Sequence, residues 1–255
     1  MTRLLSGAAL AAVALAAILF LPLVGLRLLA CLVTVLAARE YLGILHAARP
    51  VGLLPVLLIA VAVCWSFSMS GDASVLPLLL AGLAWLAVEV LFLERTAEQA
   101  AARFLAPWYV GMPLGMLVAV QSTGGSRTTL LLVATIVVSD SGQYYTGRAW
   151  GRRPLAPAIS PKKTVEGAIG GLVLATGFVA LAGPQVFPTT GPLSLALLGS
   201  AVAVLGICGD LFESRLKRVA GVKDSSTLIP GHGGVLDRID ALLFAIPAYY
   251  FYLRA

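Results

Sequence analysis

The chain has 255 residues, 59% of them hydrophobic and only 12% charged, with a mean hydropathy of +0.95 and a formal net charge of +6. That is too little polar surface to coat a water-soluble globule of this size, so the composition excludes a soluble protein and points to an integral membrane protein. The positive charge lies in short segments between apolar runs, not on a soluble basic domain, which argues against nucleic acid and for anionic lipid headgroups or nucleotide phosphates.

Measured against the roughly 20 residues that cross a bilayer core, the apolar runs predict an all-α, polytopic membrane protein with about nine transmembrane helices. They cover residues 5–24, 26–45, 51–69, 74–93, 105–121, 129–147, 165–187, 192–213 and 235–253. The first run is too long for a signal-peptide core and a second follows at once, so it reads as a retained span. The two are separated only around Gly25 and could form a re-entrant hairpin. With this assignment fifteen Lys and Arg residues fall on one side, and only Arg27, Arg127 and Arg254 on the other. The positive-inside rule then puts the N-terminus and both large basic loops, 148–163 and 218–231, in the cytoplasm of a cell whose inner (plasma) membrane holds the protein. Tyr249, Tyr250 and Tyr252 near the C-terminus read as an aromatic belt at the far interface. Cys31, Cys64 and Cys208 are isolated, so neither a disulfide framework nor a zinc site is expected. Glu89, in the fourth span, calls for a local partner.

Residues 1–104 form plain Ala/Leu/Val spans, whereas in residues 105–255 polar groups gather at the cytoplasmic ends of the helices. The chain is read as one continuous membrane domain whose chemistry is C-terminal. In the sixth span Asp140 follows a nearly unbroken apolar stretch, with Tyr144 on the same helix face. A carboxylate at depth costs about 2.5–3.5 kcal/mol on insertion scales, so it faces a partner, here Arg148, or a water-filled cavity. The next loop, ISPKKTVEGAIGG, sets Lys162 and Lys163 beside a helix start. Thr164 is the expected N-cap, and Glu166 with the Gly167 to Gly171 spacing opens a helix able to pack closely. The two lysines either bind phosphate at that helix N-terminus or reach lipid headgroups.

The eighth span ends in GDLFESRLKR, placing Asp210, Glu213, Ser214 and Lys217 on one face if the helix continues. The ninth opens with Asp237 and Asp240, also on one face. Carboxylates on neighbouring helix ends, without a Cys or His pair, form an oxygen-rich set suited to Mg²⁺ and poorly suited to Zn²⁺. Between them PGHGG allows close backbone approach, and Lys217, Arg218 and Lys223 supply phosphate counter-charge. Acid and base mixed around a glycine turn point to a metal–polyphosphate site at the membrane surface. No Walker A pattern occurs.

Ser214, Leu216, Lys217, Arg218, Lys223, Asp224, Pro230, His232, Gly233, Gly234, Asp237, Arg238 and Asp240, at these spacings, resemble the signature of the phosphatidate cytidylyltransferases. ISPKKTVEGAIGG and DSGQYYTGR look like further blocks of that family, and Arg39-Glu40-Tyr41 is a local echo of it. The resemblance covers about the last 120 residues. It implies transfer from CTP to phosphatidate with Mg²⁺, K⁺ being the candidate second cation and a homodimer the candidate assembly. It implies Asp210, Asp237 and Asp240 as metal-linked carboxylates and Lys217 and Arg218 as further catalytic groups. Ser160, Lys162, Lys163, Ser214, Lys223, Asp224, His232, Gly233, Gly234 and Arg238 become substrate contacts, and Asp140, Tyr144, Glu166 and Glu213 additional candidates. Gln143, where the family commonly has Ala, and Arg152, where Lys is frequent, depart from the pattern without removing a needed charge. His232 is equally well read as a turn histidine. The competing readings are a CTP-dependent polyprenol- or dolichol-type lipid kinase and, against the one-sided placement of charge, an ion transporter.

Overall fold

The computed structural model describes residues 2–46, 52–69, 75–93, 95–229, 231 and 233–255, with side chains from residue 7 onward. Among them are nine α-helices: α1 Thr2–Phe20, α2 Leu23–Ile44, α3 Leu53–Ser68, α4 Val75–Phe92, α5 Ala97–Ala106, α6 Met112–Trp150, α7 Val165–Ala182, α8 Pro192–Val219 and α9 Leu236–Arg254. A two-stranded hairpin, β1 Pro154–Ala156 with β2 Ser160–Thr164, stands between α6 and α7. The chain is an all-α membrane protein. Four helical stretches among the described residues, Val75–Phe92, Ala97–Trp150, Val165–Gln185 and Pro192–Val219, are long and apolar enough to cross a membrane, and Gly7–Phe20 and Leu53–Ser68 are apolar but shorter.

Each predicted span coincides with helix, and the differences have local causes. The break between the first two helices falls at Pro22, which caps α2 in an extended conformation, while Gly25 lies inside α2. The fifth helix starts well before residue 105, because Thr96 caps it by accepting a hydrogen bond from the Gln99 amide at 3.3 Å. Pro107 has no amide hydrogen to give, and Pro107–Gly111 form a π-helical turn that feeds into α6. The expected gap between the fifth and sixth spans shrinks to one residue, Gly125, whose φ of 73° interrupts α6.

The chain divides into two compact units. The first contains residues 1–122 and 216–239. Its core is small-residue packing on α3: a Cβ at Gly111 would lie 2.5 Å from the Ala60 carbonyl oxygen, and one at Gly115 would strike that of Cys64. Two glycines four apart thus let this segment ride on the α3 backbone. Glu89 finds its partner here, accepting from Trp85 Nε1 at 2.9 Å and pairing with Arg103 in full burial. Arg103 is therefore a core residue and not a loop cation.

The second unit contains residues 123–215 and 240–255. Its helices approach through glycines: a Cβ at Gly142 would come within 2.9 Å of Gly171 Cα, and one at Gly209 within 2.5 Å of the Asp240 carbonyl oxygen. Tyr249 is fully buried and donates its hydroxyl hydrogen to the Thr128 carbonyl at 2.9 Å, and Tyr250 is buried as well. These two tyrosines face protein and not an interfacial belt, because the α9 face that carries them is a packing face.

Candidate active site

The second unit holds a cleft of about 360 Å³ lined by Asp140, Gln143, Tyr144, Arg148, Lys162, Lys163, Thr164 and Asp210, among others. Three chain segments meet there because each is pinned by its own local chemistry. Thr164 caps α7 by accepting from the Gly167 amide at 3.1 Å. Glu166, in the first turn of α7, accepts from the amides of Arg152 at 3.0 Å and Arg153 at 3.1 Å and from Arg153 Nε at 3.0 Å. That clamp closes the base of the β1–β2 hairpin and so presents Lys162 and Lys163 on β2 toward the cleft. Glu166 acts here on the hairpin; it is not among the residues that line the cleft.

The wall opposite the hairpin is α6, seated on α7 through Gly167 and Gly171. A Cβ at Gly171 would lie 2.5 Å from Gln143 Cγ and 2.7 Å from the Ser139 carbonyl oxygen. Asp140 and Tyr144, both exposed, lie on the cleft side of α6. Arg148 donates to the Tyr144 hydroxyl at 3.2 Å, and Gln143 Nε2 donates to Asp140 Oδ1 at 3.1 Å. The expected Asp140 partner, Arg148, is thus engaged with Tyr144, and the glutamine that departs from the family pattern is the group bonded to Asp140. On α8, Asp210 pairs with Lys163 and accepts from Ser214 Oγ at 3.3 Å. The cationic side of the cleft rests on lysine and arginine side chains. Two first-turn amides of α7 are consumed, Val165 by the Arg153 carbonyl at 2.9 Å and Gly167 by Thr164.

The first unit gathers the rest of the polar segment into a loop. Asp237, with a side chain only 5% exposed, takes Lys217 Nζ at 2.5 Å on Oδ1. Its Oδ2 accepts from the Ser225 amide at 2.9 Å, the Ser225 hydroxyl at 2.8 Å and the Gly234 amide at 2.7 Å. A second buried carboxylate, Glu40 of α2, accepts from Ser226 Oγ at 2.7 Å and the Val235 amide at 3.1 Å on one oxygen, and from the Leu236 amide at 2.7 Å and Ser225 Oγ at 3.1 Å on the other. The double glycine is required by these acids. A Cβ at Gly233, where φ is 79°, would strike Asp237 Oδ2, and one at Gly234 would strike Ser225 Oγ and crowd Glu40 Oε2. The glycine turn therefore approaches the protein's own carboxylates. Glu40 was legible in sequence only as part of the Arg39-Glu40-Tyr41 echo.

The remaining expected site residues are distributed between these two regions. Ser160 begins β2, half-buried. Glu213 is fully buried on α8, on the interior face of its helix. Arg218, Lys223, Asp224 and Arg238 are exposed, Arg218 reaching the Val222 carbonyl at 3.5 Å. Asp240 lies where the α9 backbone meets Gly209, its Oδ1 accepting from the Ala241 amide at 2.8 Å. His232 and Pro230 lie outside the described residues. Among the described residues no three His, Cys, Asp or Glu side chains converge as a ready-made metal cage. Asp140 and Asp210, by contrast, line one cleft. That pair suits Mg²⁺, which takes one or two carboxylates together with substrate phosphates and keeps its waters. Asp237 accepts four hydrogen bonds, three of them on Oδ2 and one on Oδ1.

A family model described as "Cytidylyltransferase family" matches residues 1–255. The phosphatidate cytidylyltransferase of Haemophilus influenzae is 49% identical over 130 residues, 48% of this chain and 45% of the relative. That of Bacillus subtilis is 40% identical over 156 residues, 58% of this chain and 56% of the relative. The uncharacterized protein YnbB of Escherichia coli is 40% identical over 139 residues, 54% of this chain and 46% of the relative. The matched part of the chain thus spans about half the length of the curated relatives it matches.

Proposed function

We propose that this chain, which belongs to the cytidylyltransferase family, transfers the cytidylyl group of CTP to phosphatidate, giving CDP-diacylglycerol and pyrophosphate. The observation that carries the reading is the cleft in which Asp140 and Asp210 face Lys162, Lys163 and Arg148. Carboxylates and cations opposed across one cleft suit a polyphosphate bound with a divalent metal. The names of the relatives supply the lipid and the nucleotide.

In this reading an anionic phosphate oxygen of phosphatidate attacks the α-phosphorus of CTP. A new P–O bond forms as the bond to the β-phosphate breaks, and the electron pair leaves on pyrophosphate. No strong general base is needed, because the attacking oxygen is already anionic. Lys162, Lys163 and Arg148 offset the charge that accumulates on the leaving group. Asp140 and Asp210 would hold Mg²⁺, with Asp240 as a further oxygen ligand. Mg²⁺ held there would supply positive charge to offset the repulsion between these carboxylates and the phosphates. We further place the cleft on the cytoplasmic side of the inner membrane, where CTP is available. The Lys and Arg asymmetry between loops supports that orientation.

The deciding experiment incubates purified protein with phosphatidate, Mg²⁺ and CTP labelled at either the α- or the γ-phosphate, followed by lipid extraction. Label from the α-phosphate in the lipid phase, with release of pyrophosphate, is expected. Label only from the γ-phosphate would replace this reading with a lipid kinase. Chelation of the metal should stop transfer, and readdition of Mg²⁺ should restore it. In a Cys208→Ala background, Ala158→Cys and Thr227→Cys should react with an impermeant thiol reagent only from the cytoplasmic side.

A further inference from the structure

We infer that Gln143 is a positioning residue for the divalent cation of the cleft: its side-chain amide fixes the Asp140 carboxylate that would hold the ion. The inference deepens the cytidylyltransferase reading and rests on its assignment of Asp140 to the metal. Gln143, Asp140 and the groups that surround them all belong to the second unit.

Residues 140 and 143 are three apart on α6, so their side chains are neighbours on one side of the helix. Gln143 Nε2 donates to Asp140 Oδ1 at 3.1 Å and lies 3.5 Å from Ser139 Oγ, which is buried. An ionised carboxylate only accepts, so the amide must turn its nitrogen to this side, where its two hydrogens meet two acceptors. The stem of the side chain is held as well. A Cβ at Gly171 would lie 2.5 Å from Gln143 Cγ, so Gln143 occupies the space that a larger residue at 171 would fill. A Cβ at Gly167 would lie 2.8 Å from the Gln143 carbonyl oxygen, which seats the backbone of the same residue on α7. Gln143 is thus fixed at its backbone, its stem and its tip, although it is only half-buried.

The two cleft carboxylates are held in opposite ways. Asp210 is paired with a cation, Lys163. Among the described residues, the hydrogen-bond donor to the Asp140 side chain is the neutral Gln143. A neutral donor restrains the carboxylate without cancelling its charge; here it engages Oδ1 and leaves Oδ2 to a ligand. Asp210 lies near enough to act on Asp140 as a like charge, and two carboxylates at that range repel each other and together attract a divalent ion. Carboxylates that ligate metals are themselves oriented by hydrogen bonds, and loss of the outer partner costs about 10- to 100-fold in metal affinity. Gln143 therefore acts on the cation through Asp140 and touches no reacting atom.

The test uses the full-length chain with Gln143→Met, which keeps an unbranched stem against Gly171 but removes the amide, and Gln143→Ala, which removes both. Mn²⁺ binding is followed by electron paramagnetic resonance on purified protein without nucleotide or lipid, a readout independent of turnover. Both variants should bind Mn²⁺ roughly tenfold more weakly than the parent. In the transfer assay the Mg²⁺ concentration giving half-maximal rate should rise by a similar factor, with kcat at saturating Mg²⁺ and KM for phosphatidate within about twofold of the parent. A merely structural role would lower the melting temperature of the metal-free protein or the active fraction and leave Mn²⁺ affinity at the parental value; that result overturns the inference. Loss of folding in both variants would mark Gln143 as a packing residue and overturns it too. Asp140→Asn separates the two levels of the argument. If it binds Mn²⁺ as tightly as the parent, the metal assignment of Asp140 itself falls; if it binds weakly while Gln143→Met is parental, only the positioning role is refuted. Adding Gln143→Met to Asp140→Asn should weaken Mn²⁺ binding no further, because the amide acts through that carboxylate. A parent protein that transfers no label from α-labelled CTP would bring down the functional reading instead.

Discussion

Asp210 and Asp237 belong to one short polar stretch of sequence, yet the two units surround them differently. In the second unit Asp210 stands at the edge of a cleft, about one-third exposed, with Lys163 as an ion-pair partner and Ser214 beside it. In the first unit Asp237 is nearly buried and takes four hydrogen bonds, two of them from backbone amides. The difference lies in what remains for a ligand to use. A carboxylate held by a lysine can exchange that partner for a metal or let the lysine turn to a phosphate. One held by loop amides cannot be released without undoing the loop. The comparison separates a carboxylate open to a cleft from one built into a loop.

The largest effect that tests this separation is loss of charge at the two aspartates. Asp210→Asn should lower kcat by something on the order of 10²–10³ while thermal stability in detergent stays at the parent value, as expected for removal of one electrostatic group from a preorganised site. Asp237→Asn should also lose activity, but with a measurable loss of stability of about 1–3 kcal/mol, because Lys217 and the loop amides lose their acceptor. Both variants are compared by steady-state kinetics and thermal denaturation. An Asp237→Asn protein of parental stability with Asp210→Asn destabilised would reverse the assignment.

The next effect sharpens the account of the cleft. Lys163 pairs with Asp210, whereas Lys162 is exposed beside it. Lys163→Ala should raise KM for CTP roughly tenfold, the size of one lost charge-assisted hydrogen bond. Lys162→Ala should raise it less and leave the melting temperature unmoved, since exposed cations contribute little to stability. Unchanged kinetics in both would make them headgroup anchors.

A smaller effect, on stability and not on chemistry, probes the packing that shapes the cleft. Gly171→Ala would set a methyl group 2.5 Å from Gln143 Cγ and 2.7 Å from the Ser139 carbonyl oxygen, forcing α6 and α7 apart at a cost of about 1–3 kcal/mol. Gly177→Ala on the same helix meets nothing within 4 Å and should leave the melting temperature unchanged or slightly raised. Equal melting temperatures for the two variants would mean that the glycine contact is slack.

Helix positions and the polar blocks were readable in sequence because both rest on local signals. Apolar runs of bilayer length, Thr164 as a cap and the Gly167–Gly171 spacing each act through near neighbours. What sequence could not supply were pairings across long separations. Nothing local distinguishes Asp210 from Asp237, since the difference is made by Lys163 in one case and by a folded-back loop in the other. Glu40 stayed hidden for the same reason, its donors being almost two hundred residues away. Tyr249 and Tyr250 misled because a tyrosine near a helix end looks alike whether it faces lipid or a neighbouring helix.

The smallest effect is expected at Glu166, and it closes the comparison by setting an exposed clamp against the buried ones. Glu166 Oε2 accepts from the Arg152 and Arg153 amides, and Oε1 pairs with Arg153 Nε, whose side chain is 73% exposed. In Glu166→Gln the carbonyl oxygen of the amide can still serve the two backbone donors, so only the solvent-facing ion pair is lost. The hairpin should therefore persist, with a drop in kcat/KM of roughly twofold to fivefold, as befits a screened surface pair. Because salt weakens that pair in the parent protein, raising ionic strength should bring parent and variant together. The deficit of Asp237→Asn, whose partners are buried, should survive the same salt. A loss of a hundredfold or more in Glu166→Gln would instead mean that Glu166 meets the substrate, and the division between cleft carboxylates and structural ones would have to be redrawn at α7.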